Sequence, residues 1–432
     1  MKNLSKDSAL VVYYYKNNIY SFNALVGALE TDSYFDDFNI YFIKKKDELI
    51  YGLKDIIKNH KSIIVGFSFF TSQLWEIYDL ISLLKNKYKD SILYIAGGPH
   101  ATGDPLGVLK LGFDFVVVGE GEETIIELLK KVDLGSDYES LKGIAFINDS
   151  NEYIFTGKRV AIDLDDYPPF PLKNQRFGAI EITRGCPYVC YFCQTPYISG
   201  TKPRHRSIES ICKYIQILYN HYGDLTDVRF ITPNAFSYGS LDGKVLNLTK
   251  LENLLKKIRG IIGKKSRLFL GTFPSEVRPE HVTNNSLDLV LKYADNDNIT
   301  IGAQSGSQRI LDLCHRDHTV EDIYNAVKLT VEHNLKINVD FIFGLPGENE
   351  EDILLTISMM RELSNKGARV HAHSFIPLPQ TPFAKAPVNR VKDLYKKEIT
   401  KLISKGFAFG DWKKQEKLAI KIAKYMKTMK LE

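Results

Sequence analysis

The stretch GCPYVCYFCQTP, residues 185–196, sets cysteines at 186, 190 and 193 in a CxxxCxxC spacing. A four-iron cluster is ordinarily held by four cysteine thiolates. Three thiolates in one short loop therefore leave one iron open to a substrate or cofactor. A structural zinc site would need a fourth Cys or His at comparable spacing, and the nearest, His205, lies beyond the PYISG loop. A disulfide is not expected, because the sequence shows no export signal and has five cysteines in 432 residues. Cys212, inside the helical pattern SIESICKYIQIL, and Cys314, after an apolar run, read as core residues.

Downstream of this loop, apolar runs alternate with segments of helical period. The runs are 178–183, 228–232, 267–273, 298–304, 337–345 and 369–375. Six strand–helix repeats predict an incomplete parallel barrel, whose chemistry belongs at the C-terminal ends of its strands. The cysteine loop follows the first of these strands at once.

Upstream, apolar runs at 8–15, 38–43, 62–69, 92–97 and 113–119 alternate with helical segments such as 72–87 and 122–130. Strands this apolar suit burial on both faces of a doubly wound parallel sheet. Ligands of such sheets sit outside the carboxyl ends of the strands. Small and polar residues gather there, in GFSFFTSQ (66–73), GGPHATGD (97–104) and GEGEET (119–124). Glycines admit a ligand to the backbone, and hydroxyls and helix N-terminal amides suit its polar groups.

Residues 141–165 alternate as a hairpin would, and DLDDYPPFPLKNQ (163–175) breaks regular structure with three prolines. The expected divisions are a doubly wound domain over 1–140, hairpin and linker over 141–175, a barrel over 176–380 and a helical extension over 381–432. The extension carries lysines on its polar face, which reads as a solvated surface. With 44% hydrophobic and 25% charged residues, the composition is that of a soluble globular protein, and the alternation of strand and helix patterns makes its fold class α/β. No run approaches the roughly 18 apolar residues of a membrane span. A net charge of +5 over this length gives no reason to expect a nucleic-acid partner. A cytoplasmic location is expected, with no membrane partner.

The cysteine loop, with Phe192 before its last cysteine, resembles the signature of radical SAM enzymes, in which the open iron binds S-adenosylmethionine. The phrase GGPHATGDP…LGFDFVVVGEGEETIIELL resembles the cobalamin-binding domain found ahead of many radical SAM domains. To about residue 380 the chain is similar to an uncharacterised archaeal-type branch of that superfamily. The resemblance implies a 4Fe-4S cluster on Cys186, Cys190 and Cys193. It implies S-adenosylmethionine contacts from Phe192, Arg206, Pro233, Gln304, Ser305 and Ser307. Two of these segments depart from the family pattern: ITPNAFS (231–237) lacks the usual Gly-Gly-Glu or Asp-Asp, and GAQSGS has Gln304 where GxESGS has Glu. FGLPGENEED (343–352) matches the turn that lies beside the adenine. For Arg206, in RHRSIESI, a structural reading stands beside the ligand one, with Ser207 as a helix cap.

For the first domain the resemblance places Ser68 and Thr71 by the nucleotide tail of cobalamin. It sets Gly97, Gly98, Pro99, His100, Gly119, Glu120 and Gly121 along the corrin edge. The DxHxxG motif that supplies a lower axial histidine elsewhere is absent. Cobalamin is therefore expected base-off with no protein histidine on cobalt, and His100 is expected to hydrogen-bond a corrin side chain. The implied reaction is methylation of an unactivated carbon through methylcobalamin and a 5′-deoxyadenosyl radical, fed by a low-potential donor such as a ferredoxin or flavodoxin. No side chain is assigned a catalytic role, and His371 and His373 fall near where substrate should sit. The alternatives are a non-methylating enzyme of the same type (cyclisation, ring contraction) and a cobalamin sensor with a silent barrel. A methylthiotransferase should carry three further cluster cysteines in its N-terminal domain, and residues 1–185 hold none. The substrate, small or macromolecular, is not legible.

Overall fold

A computed structural model describes residues 7–15 and 18–428. It divides into two units, Met1–Gly178 and Ala179–Glu432.

The first unit is built on one seven-stranded sheet of order β2-β1-β3-β4-β5-β6-β7. Its strands are β1 (Ser8–Tyr13), β2 (Asn39–Ile43), β3 (Ser62–Ser68), β4 (Leu93–Gly97), β5 (Phe115–Val117), β6 (Ile144–Ile147) and β7 (Tyr153–Phe155). The first five pair in parallel and the last two are antiparallel. Every residue of β1 is buried and β3 is buried beyond its first residue, which is why both read as unbroken apolar runs. Leu10, Val12, Ile64, Ile95 and Phe115 pack with Ile125, Leu128 and Leu129 of helix Glu122–Asp133. Strand order reverses between β1 and β3, so the binding crevice of this topology opens at the carboxyl ends beside β3.

The hairpin that the sequence groups with the linker extends this sheet. Ile144, Ala145 and Phe146 are buried, and β6 covers β5, which would otherwise be an open edge. The linker is also held to the first unit. The Glu30 carboxylate accepts the backbone N–H groups of Leu172, Lys173 and Asn174 at 2.5, 2.8 and 2.9 Å.

The second unit contains β8 (Ile180–Glu181), β9 (Thr183–Arg184), β10 (Arg204–His205), β11 (Asp227–Val228), β12 (Phe230–Ile231), β13 (Arg267–Leu268), β14 (Asn298–Gln304), β15 (Lys336–Phe343), β16 (Arg369–Ser374) and β17 (Ala408–Phe409). Parallel pairing joins β8 to β12, β11 to β13, and β14 through β15 and β16 to β17. A parallel bridge between Val277 and Ile301 closes the gap before β14. This is the incomplete barrel, with helices such as Leu248–Ile262, Val320–Glu332 and Glu350–Asn365 in the crossovers. Beyond the six apolar runs the unit has β10, where the cysteine loop returns, and β17, which comes from the extension read as helical.

The alternation along β15 separates the two faces of the wall. Val339, Phe341 and Phe343 are fully buried, and the Phe343 ring packs 4.5 Å from Tyr395 on helix Asp393–Ser404. Asn338, Asp340 and Ile342 are half-buried on the other face, toward the barrel interior. His371 and His373 take the same side of β16. Among the described residues, no helix is long and apolar enough to cross a membrane.

Candidate cofactor sites

The cysteine loop leaves β9 at the carboxyl end of the first barrel strand and returns at β10, which pairs antiparallel with β9. Its backbone is tied down at each turn. Cys186 N–H donates to Gly200 O, Cys193 N–H to Cys190 O, and Tyr191 N–H to Cys314 O, each at 3.0 Å. Tyr191 stacks on the His315 ring at 5.4 Å, and His315 Nδ1 bonds Tyr188 O at 3.0 Å. Val189 sits at φ 46°, a strained value for a β-branched residue, and this turns the chain between the first two cysteines. Burial pushes the Cys186 thiol up to about 11 and raises that of Cys193, and neighbouring thiols raise both further. Three thiols gathered in one short loop suit a metal centre that would take all three as thiolates.

Sequence reading missed Arg316. This side chain is buried, donates from Nη2 to Gly302 O at 2.8 Å, and sets Nη1 3.5 Å from Cys190 Sγ. Its Nε finds no partner. A buried guanidinium needs negative charge beside it, and a cluster on three thiolates would provide it. The legible signal was the run HRDH (315–318), separated by seven residues from the GAQSGS segment (302–307).

The candidate S-adenosylmethionine residues separate into two groups. Gln304 ends β14 at φ 73°, and its Nε2 lies with Arg316 Nη2 over Gly302, so these two side chains share one site with Cys190. Phe192 lies 5.9 Å from the Arg316 guanidinium, and Pro233 is exposed after β12. Ser305 and Ser307 instead serve the scaffold. Ser305 Oγ is 3.2 Å from Thr356 Oγ1, and Ser307 Oγ donates to Asp352 at 2.6 Å, both on helix Glu350–Asn365. Arg206 is buried, with Nε donating to Glu181 O at 3.1 Å and its guanidinium over the Tyr214 ring. Ser207 caps the next helix by accepting Ser210 N–H at 3.1 Å. Ser207 thus takes the capping role of the structural reading.

In the first unit, Ser68 and Gly97 are register partners at the ends of β3 and β4. Gly98 packs so closely that a Cβ there would meet Ser68 Oγ at 2.7 Å. Gly119, at φ +87°, has nothing within 4 Å of where a Cβ would stand, and its N–H donates to Thr102 Oγ1 at 3.1 Å. Pro99 opens helix Gly98–Gly103, and Gly121 precedes helix Glu122–Asp133. Glu120 is turned away, accepting Ile162 N–H at 3.1 Å. His100 is wholly buried beneath the loop, with Nδ1 on Thr71 Oγ1 at 3.1 Å, and burial lowers it to about 4, so the ring is neutral. The unit's other histidine, His60, bonds Tyr41 at 2.9 Å just ahead of β3, at the opposite sheet edge.

The family model for the radical SAM superfamily matches residues 180–360, and that for the B12 binding domain matches residues 40–129. An uncharacterized methyltransferase of Pyrococcus horikoshii is 25% identical over 321 residues, which are 71% of this chain and 66% of that protein. An uncharacterized protein of Methanocaldococcus jannaschii is 27% identical over 385 residues, covering 79% of this chain and 73% of its own. Among solved structures, the radical S-adenosylmethionine methyltransferase TsrM of Kitasatospora setae, with cobalamin and a 4Fe-4S cluster bound, superposes with a TM-score of 0.67. It is 16% identical, over 88% of this chain and 77% of TsrM. The cobalamin-dependent radical enzyme OxsB, with aqua-cobalamin and S-adenosylmethionine, gives a TM-score of 0.66 at 14% identity, over 99% of this chain and 62% of OxsB. The folds agree along both units, and the two family models fall on the two units in order. The chain thus carries a region that matches the B12 binding domain, followed by one that matches the radical SAM superfamily.

Proposed function

We propose that the chain is a cobalamin-dependent radical SAM methyltransferase acting on an unactivated carbon. The observation that carries the reading is the three-thiol loop at the carboxyl end of the first barrel strand, with buried Arg316 against Cys190. The methyltransferase names of the Pyrococcus and Kitasatospora relatives favour methylation over other radical outcomes.

When bound, the cluster would supply the electron that splits S-adenosylmethionine and cobalamin would carry the methyl group to be transferred. Cys186, Cys190 and Cys193 would hold the cluster, releasing their protons as iron binds. Arg316 offsets the negative charge of three thiolates, and Gln304 offers an uncharged amide where charge is already balanced. Ile310, Cys314, Leu345 and Phe375, with Phe192 against them, keep water from the loop. The loops at Ser68, Gly97 to Pro99 and Gly119 would cradle cobalamin, with His100 shaping the loop from below. Neither histidine of this unit reaches the loop surface, so we propose that cobalt takes no protein imidazole. The electron would come from a low-potential protein donor in the cytoplasm.

Anaerobically reconstituted protein given reductant, S-adenosylmethionine and hydroxocobalamin should release both 5′-deoxyadenosine and S-adenosylhomocysteine. The homocysteine product should require cobalamin. Release of 5′-deoxyadenosine alone would end the methyltransferase reading and leave a non-methylating enzyme.

Two substitutions test the assignments. Gly119→Leu fills open space at a positive φ, so it should cost only about 1–2 kcal/mol of stability, yet cobalamin retained after desalting should fall at least about tenfold, roughly 1.4 kcal/mol of binding. Undiminished retention would remove Gly119 from the cradle. Arg316→Gln withdraws a positive charge beside the cluster and should shift its reduction potential negative by tens of millivolts with iron content kept, because local charge tunes such potentials. An unchanged potential in redox titration would make Arg316 purely structural.

A further inference from the structure

A polar cluster inside the barrel wall takes no part in the reading above. Asp340 and His371 are register partners on β15 and β16, and His373 follows two residues on, on the same face. Asp340 Oδ1 is 2.9 Å from His371 Nδ1, which is 3.1 Å from His373 Nε2, and His373 Nε2 is 3.9 Å from Asp340 Oδ1. The point equidistant from three atoms so separated lies about 2.0 Å from each, the bond length of zinc to imidazole nitrogen or carboxylate oxygen.

We infer that Asp340, His371 and His373 form a binding site for a divalent transition-metal ion of the zinc class. Two imidazoles and one carboxylate suit such ions and leave coordination positions open. Each residue offers one ligand atom, and all three side chains are half-buried, which leaves an entry path. The His371 ring is fixed by stacking on Phe409 of β17, at 4.4 Å and 9°. Glu276 faces the same charges: its carboxyl, reached by solvent yet hemmed in by protein, is pushed up to about 7 by this enclosure and by Asp340, with His371 opposing.

Hydrogen bonding alone accounts for the cluster poorly. Ser374 N–H donates to Gln415 Oε1 at 2.8 Å, which turns the Gln415 amide nitrogen toward His373 Nδ1 at 3.3 Å. Nδ1 then accepts, so His373 carries its proton on Nε2. That proton points at His371 Nδ1, itself the donor to Asp340, and two donors face each other. A cation at the centre takes all three lone pairs. His373 then holds its proton on Nδ1, and Gln415 turns its amide to accept it, giving up the Ser374 bond. The open positions of the ion point into the barrel, where they would take an anionic oxygen or a nitrogen donor of a substrate.

The test uses the full chain with its cluster assembled, so that the cysteines are occupied, and zinc alone as the probe. After equilibration and desalting, the wild type should hold one zinc per chain beyond its iron. His371→Ala/His373→Ala should lose at least about a hundredfold in zinc affinity with iron content unchanged. Should that variant not fold, zinc protection against diethyl pyrocarbonate is read on the wild type by peptide mass spectrometry, where modification of His371 and His373 should fall at least tenfold. Equal zinc in wild type and variant, or modification of both histidines regardless of zinc, would overturn the site. Neither result depends on turnover, so failure here stands apart from failure of the methyltransferase reading.

Discussion

Cys190→Ala is expected to abolish the cluster: iron after anaerobic reconstitution should fall from about four per chain to below about one. Cleavage of S-adenosylmethionine should drop at least about a thousandfold, roughly 4 kcal/mol of barrier. The effect is large because two thiolates cannot present three irons, and because loss of the Cys190 thiolate leaves the buried Arg316 guanidinium without its nearest anion. Cys186→Ala and Cys193→Ala should behave alike. Cys212→Ala is the control, since this half-buried residue lies on helix Ile208–Tyr222 away from the loop. It should retain all its iron and lose under about 1 kcal/mol of stability. Iron quantitation with 5′-deoxyadenosine release decides the matter. A Cys190→Ala protein that keeps four irons would show that the loop is not the cluster's seat.

Gly185→Ala should do nearly as much damage without touching a ligand. Gly185 has φ +91°, and a Cβ there would stand 2.4 Å from Lys202 O and 3.1 Å from its carbonyl carbon. These are backbone atoms where the loop closes onto β10, so they cannot rotate aside. The expected cost is roughly 3 kcal/mol or more, read as a fall of about 6–12 °C in the melting temperature of a unit this size. Iron should be lost in parallel. Gly200→Ala makes the comparison sharp: its φ is +81°, but nothing lies within 4 Å of the new methyl. It should cost about 1–2 kcal/mol and leave the cluster in place. Equal melting temperatures for the two variants would refute the close-approach argument.

What the sequence made legible was local chemistry. Cysteine spacing is fixed by the loop that presents it, and apolar runs such as SIIVGFSF announce a strand buried on both sides wherever its neighbours come from. Contacts that join distant segments stayed hidden. Arg316 reaches Cys190 across 126 residues, and nothing in either segment names the other. Ser305 and Ser307 bond Thr356 and Asp352 on a helix some fifty residues later, partners that no local pattern names. The hairpin at 144–155 was recognised as a hairpin, but that it would shield β5 follows only from the sheet order. Asp340 went unread because a single acid in an apolar strand carries no signal until β16 sets His371 beside it.

The pairing of β16 with β17 reaches into synthesis. Residues up to about 400 can lay down the doubly wound sheet and most of the barrel while β16 still has a bare edge, because its partner β17 is made later. Only when Ala408 and Phe409 emerge, followed by Gln415, is that edge closed and His371 stacked. A truncation near residue 380 would thus release an open parallel edge prone to pairing between chains. Cluster insertion, which needs the loop clamped at Tyr191 by Cys314 and Phe383, would then wait until those downstream segments have been made.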